Sequence, residues 1–195
     1  MPATGEFTSP SSRSAEADRA APAAVRCRLV ASPFERELHL RIRAEVFVRE
    51  QGLFAGSDRD ARDDDPLTLH VLAWCGAEPA GTVRLYRLGG PGGSGSGAVA
   101  PRSTGQPGLW KGDRLAVLPR FRRHGVGGPL VDFAVRAAGE LGGREMVAQI
   151  QLANVAFFER LGWRRLGEVA DYCGRPHQQM VIGLSGAAGR SPARG

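Results

Sequence analysis

The chain has 195 residues, 42% apolar and 24% charged, with a formal net charge of +6. That length and composition suit one packed domain; no run of about eighteen apolar residues exists, which excludes a transmembrane helix, and the first thirty residues hold no apolar signal core. Three scattered cysteines (Cys27, Cys75, Cys173) with no CxxC exclude a disulfide framework or a zinc site, so a cytoplasmic protein without a metal is expected.

Residues 1–24 are rich in Ala, Pro, Ser and Glu without apolar periodicity and predict a disordered leader; residues 185–195 predict a disordered tail. One domain, residues 25–184, lies between them. It opens with a strand over residues 25–30. Ser32-Pro33-Phe34-Glu35 then reads as a capping box with proline at the first helical position. Phe34, Leu38, Ile42 and Val46 recur every four residues and predict a helix with one buried stripe, ending near Gln51-Gly52. The loop that follows carries Asp58, Asp60 and Asp63 to Asp65. It lacks the glycine and terminal glutamate of a calcium-binding EF-hand, so a solvated acidic loop is expected. Residues 67–74 and 81–88 predict a hairpin turning at Cys75-Gly76-Ala77-Glu78-Pro79. The Gly/Ser/Pro-rich residues 89–108 predict a flexible insertion between strands. A strand over 109–117 precedes a helix over 126–141, with Leu130, Phe133, Ala134, Ala137 and Leu141 at helical spacing. Then come a strand (146–151), a short helix (155–161) and two final strands (165–172 and 179–184). The order is that of an α/β (α+β) domain: a mixed sheet with helices on its faces.

The positive charge is uneven. Residues 98–184 hold twelve basic and seven acidic side chains, whereas residues 25–97 hold ten of each, and Lys111 is the only lysine. Arginine is the residue suited to phosphate forks. Within that half, Arg120-Phe121-Arg122-Arg123-His124-Gly125-Val126-Gly127-Gly128 joins a strand to a helix. Glycines in such a turn let backbone N–H groups converge on an anion, and the helix N-terminus adds its dipole. A pyrophosphate is the natural guest; the bland alternative is a Gly-rich turn with solvated arginines. A P-loop needs Gly-Lys-[Ser/Thr], which is absent, and a dinucleotide fingerprint needs Gly-x-Gly-x-x-Gly after a first strand.

Residues 112–119 running into Arg122–Gly128, with Phe157-Phe158-Glu159-Arg160-Leu161-Gly162-Trp163, resemble the GNAT superfamily of acyl-coenzyme A-dependent N-acyltransferases. Val46-Phe47-Val48-Arg49-Glu50-Gln51, the Asp-rich loop leading to His70, and Gly174-Arg175-Pro176-His177-Gln178-Gln179-Met180 resemble its ElaA-type and nitrilase-cluster-associated branch. The resemblance implies a centrally split sheet and acetyl-CoA as acyl donor. The backbone of Leu115, Ala116 and Val117 would pair with the pantetheine arm, and Arg122, Arg123, His124, Gly125, Val126, Gly127 and Gly128 would hold the pyrophosphate. The acceptor would be a small-molecule amine attacking directly, with a possible homodimer and neither nucleic acid nor membrane as partner.

The sequence departs from the family at Phe158, where many members carry a tyrosine that protonates the departing thiolate. Phe158 remains a cofactor contact without a proton to give. Tyr172 or water is left as the acid, and simple packing is the alternative for Tyr172. Glu50, at the end of the first helix, and His177, in a turn after Pro176, are the two candidates for general base. His70 caps or packs, and His124 lies in the phosphate loop. Gln151 and Asn154 are candidates for cofactor contact, with N-capping as the alternative for Asn154. Two other readings stand beside the enzyme: an acyl-CoA sensor without turnover, and an Arg-rich nucleic-acid module, which lacks any reader motif.

Overall fold

The computed structural model describes residues 24–89 and 107–184. The leader, the tail and most of the Gly-rich insertion expected from the sequence lie outside the described residues. Strands β1 (Val25–Leu29), β2 (Leu69–Cys75), β3 (Glu78–Arg87), β4 (Leu109–Val117), β5 (Glu145–Gln151), β6 (Arg164–Tyr172) and β7 (Arg175–Gly183) form one sheet in the order β1-β2-β3-β4-β5-β7-β6. Every neighbouring pair is antiparallel except β4 and β5, which α2 (Gly127–Glu140) connects in parallel. Helix α1 (Pro33–Arg43) follows β1, and α3 (Val155–Arg160) follows β5.

Helix α1 starts where the sequence places it. Ser32 Oγ accepts the Glu35 N–H at 3.2 Å, and Pro33 opens the first turn. The reciprocal half of the expected capping box is displaced by one residue: the Glu35 carboxylate accepts the Ala31 N–H at 2.8 Å and pairs with Arg28. The expected apolar stripe needs correction. Ile42 and Val46 are buried, but Phe34 is 69% exposed. The inward face of α1 instead carries Glu35, His39 and Arg43, because strand and loop partners meet these polar groups. Beyond Arg43 the helix widens into π-helical turns, Ala44–Glu50, with the Gln51 N–H donating to Val46 O at 3.0 Å. Gly52, at φ 61°, ends it.

The main core joins the helices to the sheet, and a smaller cluster of Leu109, Val147 and Val181 is separate from it. Leu72, Leu85, Leu130, Met146 and Met180 are wholly inaccessible or nearly so. A Cβ on Gly81 would lie 2.8 Å from Ala116 O and 2.9 Å from Leu130 Cδ1. The bare glycine is what lets α2 close onto β3. On α2, Leu130, Val131, Ala134 and Ala138 point inward, while Leu141, expected in that stripe, falls past the last turn and is exposed.

The Asp-rich loop is not the solvated loop expected. Asp58 and Asp63 are 2% and 1% exposed. Arg43, wholly buried, binds Asp58 Oδ2 through Nε at 2.8 Å and Asp63 Oδ2 through Nη2 at 3.0 Å. Arg84 forks onto Asp113 (2.8 Å) and Asp60 (2.6 Å), and Arg114 reaches Asp58 Oδ2 (3.2 Å) and Asp60 Oδ2 (3.1 Å). Arginines from α1, β3 and β4, far apart in sequence, converge on this one loop and draw it inward. Next to the cluster, His39 and His70 meet edge-on with ring centroids 4.8 Å apart. Burial lowers the pKa of both rings, that of His70 to about 4.

The last hairpin also differs from expectation. Cys173 and Gly174 both take left-handed backbone (φ 53° and 70°), a two-residue turn that starts β7 at Arg175. His177 therefore lies within a strand, opposite Gln151 of β5 and Ala170 of β6, and not in a turn.

Two outcomes follow for stability. Replacing Asp63 by Ala strands the buried Arg43 guanidinium and costs about 3–5 kcal/mol in urea denaturation. The two histidines are neutral when folded and take up protons when unfolded. Their contribution is complete above the unfolded imidazole range, near pH 6.5, and is lost as pH falls through the folded value of His70, about 4. The melting temperature thus declines between pH 6.5 and 4, and His70→Phe makes that decline shallower.

Candidate active site

The site begins where a pair of strands comes apart. Parallel pairing of β4 with β5 covers Leu109–Glu145, Trp110–Met146 and Lys111–Val147, and then stops. The cause lies in β4. Arg114 adopts φ 52°, and the register against β3 slips between Thr82 and Arg84. Such a bulge bends a strand away from its neighbour. Thr82 Oγ1 donates to Arg114 O at 3.3 Å, and the side chain of Arg114 is tied to Asp58 and Asp60, so the bulge is held from both ends.

The parted strands border an open-mouthed cleft. Residues paired across strands share a face of a sheet. Gln149 with Gln179, and Gln151 with His177, fall on one face; Met146 with Ile182, and Ala148 with Met180, fall on the other. The cleft is therefore polar on one side of the sheet, where Gln149, Gln151 and His177 line it. It is apolar on the other, where Met146 and Ala148 line it together with Val131 and Ala134 of α2.

Past the end of β4, Pro119–His124 forms a 3-10 turn that passes through Gly125, at φ 71°, into α2; none of residues 119–128 lines the cleft itself. Val126 is fully buried and anchors the loop, while Gly125 and Gly128 have open space where a side chain would stand. No side chain caps the first turn of α2, so the N–H groups of Gly127 and Gly128 are free to meet an anion. Arg123 is exposed, with no ion-pair partner among the described residues. Arg122 is committed elsewhere. Its Nε donates to Val117 O at 3.2 Å and its fork grips the Glu50 carboxylate, with Nη1 to Oε1 at 2.7 Å. His124 is exposed and packs edge-on against Phe121.

The other sequence candidates divide. Leu115 lines the cleft, while Ala116 and Val117 pair with Thr82 and Gly81 of β3. Asn154 occupies the N-cap position of α3 but makes no capping bond, and it lies on the cleft wall. Phe158 is buried in the wall, edge-on to Phe157 and Trp163 at 5.4 and 5.3 Å. His177 Nδ1–H donates to Arg175 O at 2.8 Å, which leaves Nε2 as the acceptor nitrogen of the neutral ring. Tyr172 faces His177 edge-on at 5.3 Å, and burial raises its phenol above the ordinary value. Glu50 is not among the residues lining the cleft, and the Arg122 hydrogen bonds hold its carboxyl below the usual range.

Two groups escaped the sequence reading. Lys111 enters the cleft with its Nζ 5.8 Å from the Tyr172 ring; its being the only lysine was the available signal. Gln51 is a clasp: its Oε1 accepts from Gln151 Nε2 at 3.0 Å and its carbonyl from Arg175 Nη2 at 2.7 Å. No spacing in the sequence joins residues a hundred positions apart. Among the described residues, no group of three His, Cys, Asp or Glu side chains is placed to hold a metal.

Comparison with known proteins agrees with this geometry. The Acetyltransferase (GNAT) family matches residues 34–163. YjcF of Bacillus subtilis (strain 168), described as an uncharacterized N-acetyltransferase, is 28% identical over 141 residues, 72% of this chain and 86% of the relative. A crystal structure of a putative N-acetyltransferase from Lactobacillus plantarum shares the fold at a TM-score of 0.66 and 24% identity, covering 83% of this chain and 99% of its own. Escherichia coli ElaA does so at 0.65 and 20%, covering 81% and 99%. The chain belongs to the GNAT acetyltransferase family and is an acyl-CoA-dependent acyltransferase.

Proposed function

We propose that the protein transfers an acyl group, acetyl or longer, from its CoA thioester to the amine of a small molecule by direct attack. The observation that carries this reading is a split sheet with His177 on the wall of its cleft, and an uncapped, glycine-rich helix N-terminus in the turn that follows β4. The N–H groups of Gly125, Val126, Gly127 and Gly128, with Arg123, receive the pyrophosphate. The free edge of β4 at Leu115 to Val117 receives the pantetheine arm, and Asn154 and Phe158 flank it. Arg122, His124 and Glu50 shape the mouth, with Glu50 positioning Arg122 as a fixed cation. The amine nitrogen forms its bond to the thioester carbonyl carbon, and the carbon–sulfur bond breaks. His177 Nε2 takes the proton from the amine. Tyr172, a phenol and so protonated at neutral pH, gives a proton to the departing thiolate. The polar face of the cleft takes the acceptor.

Acetyl-CoA at a hundredfold excess over its Kd should raise the melting temperature by about 5–10 °C. Arg123→Glu combined with Gly125→Asp should abolish that shift, and no shift at millimolar ligand in the unaltered protein would overturn the assignment. In a thiol-release assay across an amine panel, His177→Gln should lower kcat/KM by about a hundredfold or more and remove the acid limb of its pH profile. A profile unchanged by that substitution would remove His177 from the mechanism.

A further inference from the structure

Below the point where β4 and β5 part, the cleft opens on the apolar face of the sheet. Its walls there are Val83 of β3, Gly112 of β4, Val131 and Ala134 of α2, and Met146 and Ala148 of β5. None of the six carries a polar side-chain group that could hold a hydroxyl, an amine or a carboxylate. Three of them (Gly112, Ala134, Ala148) are the smallest residues available. A Cβ on Gly112 would come within 3.2 Å of Met146 Sδ, so the bare glycine is what lets Met146 pack against β4 at the vertex of the split. Three polar groups of the cleft, Gln149, Gln151 and His177, belong to the opposite face, and the cavity is continuous between the two.

We infer that this chamber takes an aliphatic acyl chain, and that the preferred donor is an acyl-CoA of the butyryl to hexanoyl class. The inference rests on the donor site proposed above and specifies its substrate. Its physical basis is transfer of methylenes from water to an apolar wall, worth about fourfold in affinity for each one buried. The thioester carbonyl stays at the split, where an amine on the polar face can reach it, and the chain extends away from the acceptor toward α2.

The test compares dissociation constants of free CoA, acetyl-CoA, butyryl-CoA and hexanoyl-CoA by calorimetry, which needs no knowledge of the acceptor. Hexanoyl-CoA should bind at least about tenfold tighter than acetyl-CoA. Ala148→Val and Ala134→Val, on different elements, should each reduce that ratio several-fold; thermal melts identify a variant that fails to fold, and the other then decides. Equal binding of acetyl- and hexanoyl-CoA in the unaltered protein would overturn the acyl chamber while leaving the donor site intact. So would a ratio that neither variant alters, since the chain would then lie elsewhere. Failure of every form of CoA to bind would remove the donor site as well.

Discussion

Four carboxylates and three guanidinium groups, drawn largely out of water, hold β4 in the shape on which the site depends. Arg43, Arg84 and Arg114 come from α1, β3 and β4, and they meet Asp58, Asp60, Asp63 and Asp113. The cost of desolvating such charges is offset only where each has well-aligned partners. Here the bidentate forks of Arg43 and Arg84 supply them. Arg114 is both a member of the cluster and the residue with left-handed backbone at the bulge. The cluster and the opening between β4 and β5 are therefore one feature: the ion pairs fix the residue whose conformation ends strand pairing.

The divided sheet gives the two halves of the cleft different chemistry. Alternation along β5 sends Met146, Ala148 and Ile150 to one face and Gln149 and Gln151 to the other. Because the gap passes through the sheet, a single cavity touches both sets. One strand's pleat thus separates a greasy chamber from a hydrogen-bonding one.

Much of this was legible in the sequence, for identifiable reasons. Cap chemistry marked the start of α1, glycines marked the loop before α2, and apolar runs marked the strands, because each signal is local. The failures were contacts between distant segments. Phe34 has the right spacing for a buried stripe, yet the face it belongs to loses to Glu35, His39 and Arg43, whose partners lie on other elements. Asp58 and Asp63 read as solvated because nothing nearby in sequence names Arg43 and Arg84 as their mates. The start of β7 was placed late because Arg175, Pro176 and His177 lack strand-like alternation; the turn at Cys173-Gly174 sets the register instead.

The widened turn that ends the first helix has a mechanical consequence. Adding a residue to a helical turn rotates everything after it by about 100° relative to a regular winding. It brings two successive residues to opposite duties: Glu50 grips Arg122 in the turn before α2, while Gln51 clasps Gln151 and the tip of the β6–β7 hairpin. A single peptide unit thus fastens both the turn before α2 and the β6–β7 hairpin, so the winding of Ala44–Glu50 sets the placement of two segments that share no sequence neighbourhood.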